Sequence, residues 1–168
     1  MNFIKLNTED QKMMDMLYSH YQAYEAEITS SEIEEIFPYH LENENYLYFE
    51  NYFKRGITTY LYFENNKILG FVGYHIDSKK VKGYAEGYDG WGHLAEIYTI
   101  KECRGRDIGK VMVKKVEDEL IYLGVTSIYL TDLSDHPSFW KSLEYIDTLK
   151  IEPNEGGRIF EKYLVHQK

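Results

Sequence analysis

From residue 3 the chain alternates apolar and polar over FIKL, the two-residue period of a short strand. Beyond it the period changes. Met13, Met16, Leu17, Tyr21 and Tyr24 fall near one face of a helix that Asp10 can cap and that runs to about Glu27. A second short helix is predicted over SSEIEEIF, with Ser30 or Ser31 as cap, a capping-box spacing from Ser31 to Glu34, and Pro38 just past its end. A third runs from about Glu44 to Lys54 and stops at Gly56. TTYLYFE and KILGFVGYHI are rich in aromatic and β-branched residues, and the Asn65-Asn66 step between them predicts a hairpin. Residues 83–92 hold four glycines and no periodicity, so they read as a loop. LAEIYTI, residues 94–100, reads as a buried strand. Ile108, Val111, Met112, Val116, Leu120 and Leu123 then recur at helical spacing up to a stop at Gly124. TSIYLTDL predicts a strand, HPSFWKSLEY a helix opened by Pro137, and RIFEKYLV a final strand. With no repeat and no low-complexity tract, this order is that of a single α+β or α/β domain.

Length and composition fit that picture: 168 residues with 43% hydrophobic content suit one domain with a sizeable core. Cys103 is the single cysteine, which excludes an intramolecular disulfide and a cysteine-rich zinc site, fits a reducing compartment, and gives no reason to expect a metal. The first residues lack a basic start followed by an apolar run, and no stretch of about 18 apolar residues occurs. A soluble, cytoplasmic protein without a membrane partner is expected. The net charge of −9 is uneven, since residues 1–56 carry eleven acidic and four basic side chains. Such a surface repels a phosphate backbone, and no nucleic-acid partner is expected.

One segment runs against the overall charge. Between Lys101 and Lys115 lie six basic residues (Lys101, Arg104, Arg106, Lys110, Lys114, Lys115) and two acidic ones, Glu102 and Asp107. A strand, a tight turn (CRGRDIG) and a helix follow one another there without a spacer. That arrangement aims backbone N–H groups and the positive end of a helix dipole at the turn, making an anion site, and Gly105 and Gly109 permit close backbone approach. The spacing excludes two familiar phosphate loops. Three residues rather than four separate Gly105 from Gly109-Lys110, with Val111 following, and no G-x-G-x-x-G occurs.

The segment AEIYTIKECRGRDIGKVMVKKVEDEL resembles the coenzyme-A-binding motif of the GCN5-related N-acetyltransferases (GNAT): a strand, then Gln or Arg, two residues, Gly, one residue, Gly or Ala, and a helix. Arg104, Arg106, Ile108 and Gly109 match the pattern, and Asp107 stands where it has its first Gly. The segment SDHPSFWKSLEYIDTLKIEP is similar to the family's element ending in Phe-Tyr-x-x-x-Gly-Phe, with Phe139, Trp140, Glu144 and Tyr145 at those positions. The hairpin resembles the family's second and third strands, and FPYHLENENYLYF followed by it resembles an uncharacterised bacterial subgroup. The resemblance covers nearly the whole chain in order. It implies one acyl-CoA N-acyltransferase-like domain over residues 1–168, with a mixed sheet of about six to seven strands flanked by helices. Residues 1–56 would then be a helical acceptor-side segment, 94–124 the coenzyme-A-binding core, and 125–168 a C-terminal strand-helix-strand unit.

It also implies an activity: transfer of an acetyl group from acetyl-CoA, as cosubstrate, to a primary amine of a small molecule or peptide by direct attack. The pantetheine arm would lie along Ile97, Tyr98 and Thr99, the pyrophosphate on Arg104, Gly105, Arg106, Asp107, Ile108, Gly109 and Lys110, and the thiol end against Trp140. Glu96, the only acid within LAEIYTI, is the leading candidate for the base, because a carboxylate on an apolar strand is costly unless paired or functional. A solvent-exposed or structural carboxylate is the other reading. His93, earlier on the same strand face, is an auxiliary candidate. The family's usual acid aligns with Trp140, whose indole N–H cannot be given up at ordinary pH, so either another group serves, with Tyr145, Tyr129 and His136 nearby in sequence and Tyr145 first, or the thiolate leaves unassisted. Glu35, Tyr39 and Trp91, within a wider set of acidic and tyrosine residues, would line an amine pocket. Dimers are frequent among proteins of this kind, so a homodimer is the assembly to test. The alternatives are a non-catalytic acetyl-CoA or CoA sensor and a protein-interaction module on the same fold.

Overall fold

The computed structural model describes residues 2–29, 42–80, 86–153 and 156–164. Seven strands form one sheet: β1 (Phe3–Lys5), β2 (Thr58–Glu64), β3 (Lys67–Ile76), β4 (Gly92–Thr99), β5 (Ser127–Asp132), β6 (Ile146–Ile151) and β7 (Arg158–Tyr163), in the order β1-β2-β3-β4-β5-β7-β6. Every neighbouring pair is antiparallel except β4 and β5, which are parallel. Among the described residues four helices accompany it: α1 (Gln11–Thr29), α2 (Glu42–Lys54), α3 (Ile108–Tyr122) and α4 (Pro137–Ser142). This is the mixed, helix-flanked sheet of about six to seven strands that the family resemblance implies.

The period-2 pattern of the strands sorts their side chains into two layers. On one face Val72, Leu94, Ile128, Leu130 and Phe160 pack with Met112, Val116 and Leu120 of α3 and Trp140 of α4. On the other, Leu61, Phe71 and Tyr98 pack with Met14, Leu17 and Tyr21 of α1 and with Phe49 and Phe53 of α2. Each fully buried Leu, Phe or Met contributes roughly 1.5–3 kcal/mol relative to exposure. A smaller cluster of Tyr88, Tyr129 and Ile159, with Trp91 packed on it, is separate from both.

Two local predictions change, and one is not tested. The helix opened by Pro137 stops at Ser142 instead of reaching Tyr145, because Glu144 takes a left-handed backbone (φ 66°) that breaks the helical run. Residues 146–151, for which no element was predicted, form the outer strand β6; its exposed, weakly alternating side chains carry little periodic signal. The short helix over SSEIEEIF lies outside the described residues.

Candidate active site

The two parallel strands pair at only two positions, Gly92 with Ile128 and His93 with Tyr129. Beyond them β4 stays on β3 as far as Thr99, while β5 stays on β7 as far as Asp132. The strands therefore diverge, and among the described residues the β5-side edge of β4 from Leu94 to Thr99 has no strand beside it. Backbone groups on such an edge need other partners. Ile97, Tyr98 and Thr99 all lie on this stretch, Ile97 toward α3 and Tyr98 buried against Phe71.

Thr99 leads through a single 3-10 turn at Lys101–Cys103 into the turn before α3. Arg104 folds back over it, its Nε donating to the Thr99 carbonyl at 3.1 Å and its guanidinium lying 5.7 Å from the Tyr98 ring centroid. Gly105 adopts φ +79°, which its missing side chain permits without strain. Asp107 adopts the left-handed φ of 59°, and among the described residues no side chain caps α3. Asp is among the residues that tolerate this conformation. Its carboxylate turns outward, 71% exposed and 3.0 Å from Lys110 Nζ. A Cβ on Gly109 would stand 3.2 Å from Cζ of Phe139, so the start of α3 presses directly on α4.

The basic side chains here are largely matched by acids. Arg106 Nη2 meets Glu64 Oε2 at 2.6 Å, Lys114 meets Asp118 at 2.8 Å, and Lys115 meets Glu119 at 2.5 Å. Asp118 and Glu119 lie just beyond the basic segment Lys101 to Lys115 and offset part of its charge excess. The uncapped first turn of α3, whose N–H groups have no intrahelical partners, is thus the main anion-attracting element.

Glu96 owes its direction to a bulge. Between the pairs Tyr74–Leu94 and Gly73–Glu96 the register shifts, and Ala95 is the extra residue. In a regular strand Glu96 would share the face of Leu94, under α3; the bulge re-aims it to the α1/α2 face with Tyr98. It also puts His93 and Glu96 on one face although they are three residues apart. The Tyr52 hydroxyl donates to Glu96 Oε1 at 2.6 Å. Tyr24 lies against the same carboxylate; burial first, and the charge of Glu96 second, push both phenols well above the ordinary tyrosine value. Both remain protonated, and Tyr52 is the donor to Oε1. Sequence reasoning missed Tyr24 and Tyr52 as partners of Glu96, since nothing local links α1 or α2 to β4. His93 is neutral, its imidazole pulled down to about 4 by burial.

The remaining candidates are distributed unevenly. Trp140 is buried, and among the described residues its Nε1 has no hydrogen-bond partner. Tyr145 is 3% exposed in the α3-side core, with Lys162 Nζ 5.4 Å from its ring and Glu117 beside it; burial first, then Glu117, raise its phenol well above the ordinary value. The structure does not bring it together with Glu96, which faces the opposite layer. His136 precedes α4, its N–H donating to Asp132 Oδ2 at 2.8 Å. Trp91 packs on Tyr88 and Tyr163 (ring centroids 5.3 and 5.8 Å apart) at the entry to β4. Tyr46 hydrogen-bonds Asp15 at 2.9 Å, and Tyr48 is exposed. Glu35 and Tyr39 lie outside the described residues.

The model of the acetyltransferase (GNAT) family matches residues 16–144, so this chain belongs to the GNAT acetyltransferase family. No curated protein sequence matches it. Among solved structures it is similar to a GNAT-family acetyltransferase from Staphylococcus aureus Mu50 (TM-score 0.69, 16% identity, 98% of this chain and 99% of that one). It is also similar to aminoglycoside 6'-acetyltransferase type Ii (TM-score 0.70, 16% identity, 100% of both chains). A third similar structure is PaiA N-acetyltransferase from Thermoplasma acidophilum in complex with coenzyme A (TM-score 0.63, 16% identity, 97% and 99%). At these identities the likeness is one of fold.

Proposed function

We propose that the protein transfers the acetyl group of acetyl-CoA to a primary amine of a small molecule or peptide, with Glu96 as general base. The observation that carries this reading is the bulge at Ala95, which aims a tyrosine-held carboxylate to the face opposite α3, at the point where β4 and β5 part. Structural neighbours with coenzyme A bound, the Thermoplasma enzyme and an aminoglycoside 6'-N-acetyltransferase, support the choice of cosubstrate.

The residues present fit the group. The open edge of β4 at Ile97, Tyr98 and Thr99 would take the pantetheine arm, and the turn from Arg104 to Lys110 the pyrophosphate. Trp140 offers a buried N–H donor in need of an acceptor. When bound, acetyl-CoA would supply an activated acyl group and a leaving thiolate, which departs without a side-chain acid and takes its proton from solvent. Glu96 takes the proton of the incoming amine, directly or through a water, and the Tyr52 hydroxyl on Oε1 fixes the direction of its carboxylate. Trp140 orients and excludes water without transferring a proton. Tyr145 is assigned to the core rather than to proton transfer, because its phenol faces Glu117 and Lys162.

A sensor that binds acetyl-CoA without turning it over is favoured by one observation, the absence of a transferable proton on Trp140. Two measurements separate these readings. A ligand at 100 times its dissociation constant stabilises the native state by roughly 2.7 kcal/mol, a visible thermal shift. A shift with acetyl-CoA together with thiol release on polyamines, aminoglycosides, amino acids or peptide N-termini supports the enzyme. A shift with no release on any of them leaves the sensor, and no shift removes both.

A further inference from the structure

A second group of chemistry-bearing side chains lies where β3 and β4 meet β5, and acetyl transfer makes no use of it as a set. His75 and His93 are direct cross-strand partners, their rings edge-to-face with centroids 4.8 Å apart. Asp77 follows two residues after His75 and is 6% exposed; its Oδ1 lies 3.1 Å from His75 Nε2, and its Oδ2 accepts from the Tyr129 hydroxyl. Each of the three residues presents one ligand atom, and these atoms lie within 4.8 Å of one another. Two further facts separate the cluster from an ordinary buried network. Nδ1 of His75 is buried and has no hydrogen-bond partner among the described residues, so this imidazole has coordinating capacity that the fold does not use. The rings are also held from outside: His93 stacks on Tyr129 (4.5 Å, 7° between planes), and Tyr129 stacks on Tyr88 (4.0 Å).

We propose that His75, Asp77 and His93 form a binding site for a divalent transition metal, stapling the ends of β3 and β4 on the face that Glu96 also occupies. Two imidazoles and one carboxylate suit zinc, cobalt or nickel and not the oxygen-seeking magnesium or calcium. Bonds of about 2.0–2.2 Å require ligand atoms roughly 3.3 Å apart; His75 Nε2 and Asp77 Oδ1, 3.1 Å apart, already have that spacing, and the widest pair, within 4.8 Å, closes by at most about 1.5 Å when an ion binds. His75 and His93 are both partly exposed, which gives an ion its entry path. The Tyr129 hydroxyl on the second oxygen of Asp77 is the outer hydrogen bond that orients a ligating carboxylate. The site was not legible in a cysteine count. Its only local trace is the His75-x-Asp77 spacing, and His93 joins it through the antiparallel register.

Tag-free, chelator-stripped protein titrated with cobalt(II) chloride, followed by visible absorption and calorimetry, tests the site, with zinc and magnesium chlorides compared by calorimetry. One equivalent of cobalt or zinc should bind, cobalt should develop visible bands of a low-coordinate site, and magnesium should not bind. His75→Ala and His93→Ala should each weaken binding at least tenfold, whereas His20→Ala and His136→Ala leave it unchanged. Asp77→Asn retains the shape of the carboxylate and should weaken binding as well, which covers the case of an alanine variant that does not fold. Absence of saturable binding would overturn the proposal, and so would binding that survives all three ligand substitutions. Neither result bears on acetyl transfer.

Discussion

The Tyr52 hydroxyl, on α2, donates to Oε1 of Glu96, on β4, at 2.6 Å across the interface between helix and sheet. A hydrogen bond to a charged group is worth roughly 1.5–3 kcal/mol, and it favours the carboxylate over the neutral acid. Tyr52→Phe keeps the ring and removes the donor. Turnover should fall about tenfold while acetyl-CoA affinity stays unchanged, and the acid limb of the pH–rate profile should move to higher pH. Steady-state kinetics from pH 5 to 9 read both effects; a uniform loss with an unmoved profile would mean that Tyr52 only packs.

Asp107 carries a negative charge and a left-handed backbone at the mouth of the anion-attracting turn. A like charge about 8 Å away in water costs ~0.5 kcal/mol per unit charge. Asp107→Gly removes that charge and relaxes the backbone, at the cost of an exposed ion pair with Lys110 that is worth little. Calorimetry should show acetyl-CoA binding two- to fivefold tighter, with stability level or slightly higher. Weaker binding would mean that the carboxylate organises the turn.

Gly109 and Phe139 are coupled by contact, the ring standing 3.2 Å from where a Cβ would be. Gly109→Val should cost about 1–3 kcal/mol by overpacking. Phe139→Leu made on that background should recover part of the loss. A double-mutant cycle in urea reads the coupling, which should be at least about 0.5 kcal/mol; simple additivity would show that the two elements do not press on each other.

Much of the architecture was legible because it is written in local periods. The alternation over TTYLYFE and KILGFVGYHI, and the helical spacing from Ile108 to Leu123, gave the hairpin and α3 within a residue or two. The strand β6 was not legible, since its six residues are largely exposed at the sheet edge and nothing selects one face. At the site, the turn from Arg104 to Lys110 was marked by its glycines and charges. The bulge at Ala95 was not, because a one-residue register shift leaves composition and alternation unchanged while reversing where Glu96 points. The neutralisation of Lys114 and Lys115 by Asp118 and Glu119 is legible in the i,i+4 spacing, just beyond the basic segment itself.

Glu119 gives a pH-dependent prediction. Its hydrogen bond from Lys115, followed by that from Tyr60, holds its carboxyl below the ordinary value despite partial burial. A depressed carboxyl stabilises the fold above its unfolded value and loses that contribution as pH falls through the folded one. Glu119→Gln should therefore destabilise by less than about 1 kcal/mol at pH 7, the group being partly exposed. Urea denaturation should show the gap between the two proteins closing as pH falls below the ordinary carboxylate range. A gap independent of pH would mean that packing, not charge, is lost.

The central claim is that Glu96 accepts the amine proton in a chain that binds acetyl-CoA elsewhere. Thiol release by Glu96→Gln, measured beside its acetyl-CoA affinity on whichever amine the native protein turns over, tests it most directly. Turnover should fall at least a hundredfold near neutral pH, with the acid limb of the pH–rate profile abolished and acetyl-CoA bound within twofold of the native affinity. Native turnover in Glu96→Gln across the pH range would contradict the account.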